Sequence, residues 1–242
     1  MNRTLAVAAA GMATQQVTLD AITANLANVD VPGFRASRAE FSLFLDADGR
    51  AIAPQQSSQR LFSQGRLDFT DNPNDLAIQG DGFFAVRNAR GAVGYTRAGN
   101  FSGDEWGYLR LPNGARLEGV KLPSGSTSFE VDERGQVRAR VAGRAASVVA
   151  GHIRLANFPD SAGLRLDTDG LFYSNARSGP AALSTPDGTS NRLKQRVLER
   201  ANVSVVAAMM AVLAAQRAYE ANAKAVQAAD EMLRLANNLE RS

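Results

Sequence analysis

The 242 residues suffice for one ordinary domain with extensions or for two small domains, so a real core can be buried. With 45% hydrophobic and 21% charged residues the composition is that of a soluble folded protein, and no apolar run approaches the roughly 20 residues that span a bilayer, so membrane insertion is not expected. The 27 basic side chains exceed the 24 acidic ones by only three, with no clustered patch to suggest nucleic-acid binding, and the lack of cysteine excludes disulfides, thiolate zinc sites and cysteine nucleophiles.

At the N-terminal end, Arg3 followed by Leu5 to Ala10 and a run of small residues has the outline of a secretory leader. A seven-residue apolar repeat passes straight through the would-be cleavage point, however, so no cleaved signal peptide is expected. Leu5, Met12, Leu19 and Leu26 recur every seven residues, with Ala8, Gln15, Ile22 and Val29 three residues after each. That spacing predicts one amphipathic helix over residues 3 to 29. Val31-Pro32-Gly33 ends it, because proline disfavours helical geometry before it and glycine accepts the positive φ of a type II turn.

Beyond the turn, Ala47 to Gln64 reads as an extended connector, and residues 31–75 as an arm. From 76 to 180 helical periodicity gives way to glycine-centred turns about every ten residues. They separate short apolar or alternating runs such as Phe83 to Val86, Tyr108 to Leu111, Ser128 to Val131, Val137 to Val141 and His152 to Leu155, the pattern of an all-β domain of hairpins. Asn175 to Asn191 is polar, and residues 181–193 are assigned as a return loop.

No proline or glycine occurs from Leu193 to Ser242. Leu198, Val205, Val212, Tyr219, Val226 and Leu233 share one heptad register, with Asn202, Met209, Gln216, Ala223 and Asp230 four residues after the first five. Residues 194–242 therefore read as a second helix of about forty residues, roughly 60 Å at 1.5 Å per residue. A stripe that long has no interior of its own to enter, so it should meet the N-terminal helix, another subunit, or both. The candidate assembly seams are Leu5, Met12, Leu19, Ile22 and Leu26 in the first helix, and Leu198, Val205, Met209, Val212, Tyr219, Val226 and Leu233 in the second, with Asn202, Gln216 and Asp230 fixing register.

Sites for chemistry are hard to find. His152 is the only histidine and has no nucleophile elbow nearby. Asp46-Ala47-Asp48-Gly49 and Asp167-Thr168-Asp169-Gly170 open like calcium loops but lack the later ligands, so both read as turns. Gly80-Asp81-Gly82 lacks the third glycine and following helix of a dinucleotide site. No catalytic, cofactor-binding or metal-binding residue is assigned, and no cofactor is expected.

Four separated stretches do form a specific pattern. Ala24-Asn25-Leu26-Ala27-Asn28-Val29-Asp30-Val31-Pro32-Gly33-Phe34-Arg35 resembles the N-terminal motif of the flagellar rod and hook family. The resemblance continues at Asn72 to Phe84, at Tyr95 to Phe101, and at Leu198 to Val203 with Ala215 to Asn222. Its family positions are Asn25, Leu26, Asn28, Pro32, Gly33, Phe34, Gly80, Gly82, Phe83, Gln216, Arg217, Tyr219, Glu220 and Asn222. The Gln-Arg-Ala-Tyr-Glu run is most similar to the distal-rod branch. The short stretch from Phe41 to Gln64 keeps proximal-rod and hook-basal-body paralogues open.

The resemblance implies an α+β fold whose long N- and C-terminal helices pair as a coiled coil, with a central all-β domain and an extended connecting arm. It also implies self-association into a helical rod, contact with other rod and hook subunits, export through the flagellar type III apparatus, and a place in the basal body where the rod crosses the periplasm. Asn25 and Asn28 are expected to bond backbone groups where the helix gives way to the arm. A wall-remodelling enzyme or a soluble helical adaptor are the alternatives of a different class.

Overall fold

The computed structural model describes the backbone of residues 3–42 and 55–239, and the side chains of residues 10–40, 58–229, 231, 232 and 234. The Asp46–Gly49 turn and the side chains of Leu5, Asp230 and Leu233 lie outside the described residues. The chain divides into two units, one made of residues 1–29, 36–61 and 203–242, the other of residues 30–35 and 62–202.

The first unit holds helix α1 (Arg3–Ala27), a two-stranded antiparallel ribbon of β1 (Ser37–Ser42) and β2 (Gln55–Arg60), and helix α2 (Val205–Leu239). Alanine-rich sequence favours both helices. α1 tightens at its end through i to i−3 bonds from Asn28 N to Asn25 O and from Val29 N to Leu26 O. α2 is started by Ser204, whose Oγ accepts from Ala207 N at 3.3 Å in the manner of an N-cap.

Helices and sheets coexist as an α+β chain requires, but the long coiled coil expected of the terminal helices does not form among the described residues. α2 is 35 residues against 25 for α1, so it outruns α1 by about 15 Å at 1.5 Å per residue. The α2 face that is covered runs through Ala208, Val212, Ala215, Asn222, Val226 and Ala229, whereas the expected seam residues Val205, Met209 and Tyr219 are 37%, 55% and 40% exposed. Covered positions fall three residues after the heptad leaders, at Ala208, Ala215, Asn222 and Ala229, while of those four residues after, Met209 and Gln216 are exposed and Ala223 is half-buried. A Cβ added to Gly11 of α1 would lie 2.8 Å from Asn222 Nδ2, so the backbones approach closely where large side chains would otherwise interlock. The arm is likewise not simply extended, since β1 and β2 pair from Ser37↔Arg60 to Ser42↔Gln55.

A further difference concerns residues 194–204, which are strand and turn. β17 (Arg192–Gln195) pairs with β4 (Leu76–Gln79), and β18 (Val197–Glu199) pairs with β3 (Leu67–Phe69). The absence of proline and glycine permits a helix there without requiring one. Pairing and burial of Leu193, Val197, Glu199 and Ala201 decide otherwise. Arg196 turns between the two strands at φ 60°, held by bonds from its N to Asp75 O and from Thr70 N to its O.

The rest of the second unit is built around β5 (Phe83–Arg87). One edge of β5 pairs with β6 (Val93–Thr96); the other is shared by β13 (Leu155–Asn157) at Phe83 and Phe84 and by β9 (Arg116–Leu117) at Val86 and Arg87. From there the sheet extends to β8 (Leu109–Arg110) and β7 (Ser102–Gly103), to β14 (Arg165–Leu166) and β15 (Phe172–Tyr173), and to β16 (Ala182–Ser184). A separate three-stranded sheet is formed by β10 (Ser126–Val131), β11 (Gln136–Val141) and β12 (Val148–His152).

The period of two in β5 sends Phe84 and Val86 into the main core, with Leu76, Leu109, Ile153 and Leu155. Phe83 and Ala85 face a second cluster with Tyr95 and Phe172. There the rings of Phe62, Phe83, Phe158 and Phe172 meet edge to face at centroid distances of 5.4 to 6.0 Å. A strand buried on both faces explains why Phe83 to Val86 is a continuous apolar run.

Candidate functional site

The chain passes between the two units at 29/30, 35/36, 61/62 and 202/203. In the second unit the segments next to these crossings meet around one buried carboxylate, Glu199 at the end of β18. Its Oε1 accepts from Arg35 Nη2 at 2.8 Å and from Gly65 N at 2.9 Å, and its Oε2 lies 3.4 Å from Arg97 Nη1. Its backbone oxygen accepts from Gly33 N at 2.8 Å, and Phe34 O accepts from Asn202 N at 3.4 Å. Arg35 and Glu199 are fully covered side chains.

Local sequence makes this clasp possible. Val31, Pro32, Gly33 and Phe34 form a turn closed by Phe34 N to Val31 O, with Gly33 at φ +69°. A Cβ on Gly33 would sit 2.3 Å from Ala98 N, so only glycine allows the turn to press against the backbone beside Arg97. A Cβ on Gly65 would lie 2.0 Å from Arg200 O, another backbone contact that any side chain would block.

Two guanidinium groups around one carboxylate leave a buried positive charge to be met by backbone oxygens. Arg97 Nη2 donates to Gly80 O at 2.8 Å and its Nη1 to Ile78 O at 3.5 Å. Burial draws Arg97 down from 12.5 to about 10, opposed by Glu199 and reinforced by Arg35, so it stays charged near neutrality. A buried ion pair of this kind adds little net stability over apolar packing, but removing one partner strands the other charge at a cost of about 3–5 kcal/mol. The clasp closes only when the segments around residues 33–35, 65, 97 and 199 are placed together.

The sequence-selected positions fall in three places. Pro32, Gly33, Phe34, Gly80, Gly82 and Phe83 lie in the second unit, around or near the clasp. Gly80 at φ +107° packs on Ser190 O and Asn191, Gly82 at φ +109° packs on Leu155 and Asn157, and Phe83 has the Arg97 guanidinium 5.4 Å from its ring centroid. Asn25 and Asn28 lie at the end of α1. Asn25 donates to Ser37 O at 2.7 Å and accepts from Ser37 N at 2.8 Å, pairing with the first residue of β1 as a strand would, while Asn28 Nδ2 donates to the terminal carbonyl of Ala24 at 2.8 Å. Met12, Leu19, Ile22 and Leu26 are half-buried along α1.

On α2, Asn222, Val212 and Val226 are half-buried, while Gln216, Arg217, Glu220, Val205, Met209 and Tyr219 are exposed. Leu198 is in β18, outside the helix, and Asn202 binds Ser63 O and Oγ through Nδ2 instead of fixing a helical register. Of the clasp residues, Arg35 is the basic residue that closes the N-terminal motif, whereas Arg97 and Glu199 were not singled out from sequence, although each sits inside a recognised motif. A charged residue inside each recognised motif is the one signal that could have found them.

A second feature is the uncovered side of α2. Val206, Met209, Met210 and Leu213 are 51–74% exposed and, at 3.6 residues per turn, fall within about 100° of arc on the side opposite Ala215 and Asn222. α2 is thus apolar on two faces, of which α1 addresses one.

Other candidates resolve into structural roles. His152 is exposed at the end of β12. Asp169 accepts from Tyr173 Oη at 2.6 Å and from Leu171 N at 3.0 Å, which makes its turn a local staple. Among the described residues no group of three or more His, Asp or Glu is placed to hold a metal ion, and no helix is long and apolar enough to cross a membrane.

Comparison with known proteins matches three family models, described as flagella basal body rod protein over residues 5–35, flagellar hook protein FlgE/F/G D1 domain over 77–139, and flagellar basal body rod FlgEFG protein C-terminal over 194–239. Arg35, Arg97 and Glu199 fall one in each. The chain is 35% identical to a Caulobacter vibrioides protein named flagellar basal-body rod protein FlgG, over 97% of this chain and 98% of that one. Proteins of the same name from Borreliella burgdorferi and Agrobacterium fabrum are 35% and 34% identical, covering 100% and 95% of this chain and 100% and 96% of their own lengths.

Proposed function

The chain belongs to the flagellar basal-body rod protein family, as a structural subunit of the basal body, and from that premise we propose that it stacks helically with its own copies into a shaft of the distal-rod type. The observation that carries this reading is the two-faced α2. Val206, Met209, Met210 and Leu213 form a stripe on the side away from α1, and a partner helix would remove it from water at roughly 25 cal/mol per Å² of apolar area. A surface that meets a different surface on the next copy makes a heterologous contact, and where the rotation it imposes does not close a ring, growth is helical.

In this reading the helices supply cohesion, and the clasp passes twisting load between the chain crossings and the β core. Other rod and hook subunits cap or continue the shaft. The subunit carries out no catalytic step, travels whole through the flagellar type III apparatus without loss of a leader, and works where the rod crosses the periplasm.

The test replaces Met210 and Leu213 together with Asp, on the exposed stripe of α2. Helix content by circular dichroism should be retained, while basal bodies purified from cells carrying only this variant should lack the subunit and the cells should not swim. Normal incorporation would refute the proposal.

A further inference from the structure

A compact cationic and aromatic surface on the second unit takes no part in the clasp or in either helix. Trp106, the only tryptophan of the chain, is 61% exposed at the turn between β7 and β8. The turn is rigid: Asp104 Oδ1 accepts from Trp106 N at 3.0 Å and Tyr108 N at 2.7 Å, Asp104 O accepts from Gly107 N, and Gly107 O accepts from Leu122 N at 2.7 Å. The ring is thus presented to solvent by a hydrogen-bonded frame, at a cost in apolar exposure.

Cations alternate with the rings. The Arg110 guanidinium lies 5.4 Å from the Trp106 centroid, that of Arg116 6.0 Å from Trp106 and 4.9 Å from Tyr108, and Lys121 Nζ 5.2 Å from Tyr108. Asp104 is committed to Arg110, with Oδ2 2.7 Å from Nε. Arg116 and Lys121 are exposed and make no ion pair among the described residues, so the cluster is net positive even with Glu105 counted.

We propose that Trp106, Tyr108, Arg116 and Lys121 form a docking surface for an acidic segment of another protein. A guanidinium stacked on an aromatic face keeps its N–H edge free for bidentate pairing with a carboxylate. Trp, Tyr and Arg held in place before binding are also the residue types that carry most of the energy at protein interfaces. A neutral glycan could stack on the rings but would leave the two cations without counter-charges, so charge complementarity selects the carboxylate-bearing chain. The surface is separate from the apolar stripe of α2, so this inference stands whether or not stacking proceeds through that stripe.

Because Trp106 is the sole tryptophan, its fluorescence reports the site directly in the full-length protein. Titration with poly-L-glutamate at low salt should shift or quench the emission, and high salt should reverse it. The Arg116→Glu/Lys121→Glu variant, checked for an unchanged circular dichroism spectrum, should bind about tenfold more weakly or worse. No change on titration, an equal response in the variant, or an equal response of the native protein to a neutral chitin oligosaccharide would each overturn the assignment.

Discussion

Glu199 is one carboxylate among 24 acidic residues, yet the structure gives it contacts from Gly33, Arg35, Gly65 and Arg97. Glu199→Gln keeps the shape and removes the charge, stranding two guanidinium groups in the core. The expected loss is about 3–5 kcal/mol in urea unfolding of the second unit, with Arg35→Met in the same background recovering part of it because one uncompensated charge is gone. Gly33 is a second residue whose identity is fixed by geometry. Gly33→Ala must both hold φ +69° and place a Cβ 2.3 Å from Ala98 N, so a loss of at least about 1–3 kcal/mol is expected by the same measurement.

Among the elements, α2 shows how packing selects between two readings of one periodic pattern. Its heptad leaders Val212 and Val226 are half-buried, but the partner positions are Ala208, Ala215, Asn222 and Ala229, because small side chains let α1 approach. Ala215 is 5% exposed, and Ala215→Leu should push the helices apart and cost about 1–3 kcal/mol, read as a lower melting temperature of the helical signal. The same substitution at Ala214, which is exposed, should be nearly silent. β18 makes the complementary point. Val197 and Glu199 are buried and Leu198 lies between them, an alternation that belongs to a strand, and Ser204 marks where helix can begin.

For the molecule as a whole, the clasp predicts where the chain can be shortened. Removing residues 203–242 should leave the second unit folded, since every clasp residue remains. Removal from Leu198 onward should unfold it, because Glu199 and Ala201 leave the core. Limited proteolysis of the two truncations should separate a resistant fragment from a fully digested one.

Acid should weaken this unit in a definite window. Asp187 is held down to about 2 by the backbone N–H groups of Asn191 and Thr189, and Asp68 is lowered by its bonds to Arg66 and Arg200. A carboxyl depressed in the folded state contributes fully above its ordinary value near 3.8, and that contribution disappears as pH falls through the folded value. The urea midpoint should therefore hold steady above about pH 5 and decline between about pH 4 and pH 2, and Asp187→Asn should flatten part of the decline.

The sequence by itself determined what is local or periodic: the amphipathic α1, the Pro32-Gly33 turn that ends it, the hairpin-rich middle around Phe83 to Val86, and the family motifs in order. These were legible because turn chemistry and side-chain period act over a few neighbouring residues. The tertiary structure alone decided that residues 194–199 belong to two strands joined at Arg196, that α2 meets α1 through alanine and asparagine, and that Arg35, Arg97 and Glu199 share one buried site. Pairing partners up to 164 residues apart leave no trace in local pattern, and it is burial of the whole that sets which charge meets which.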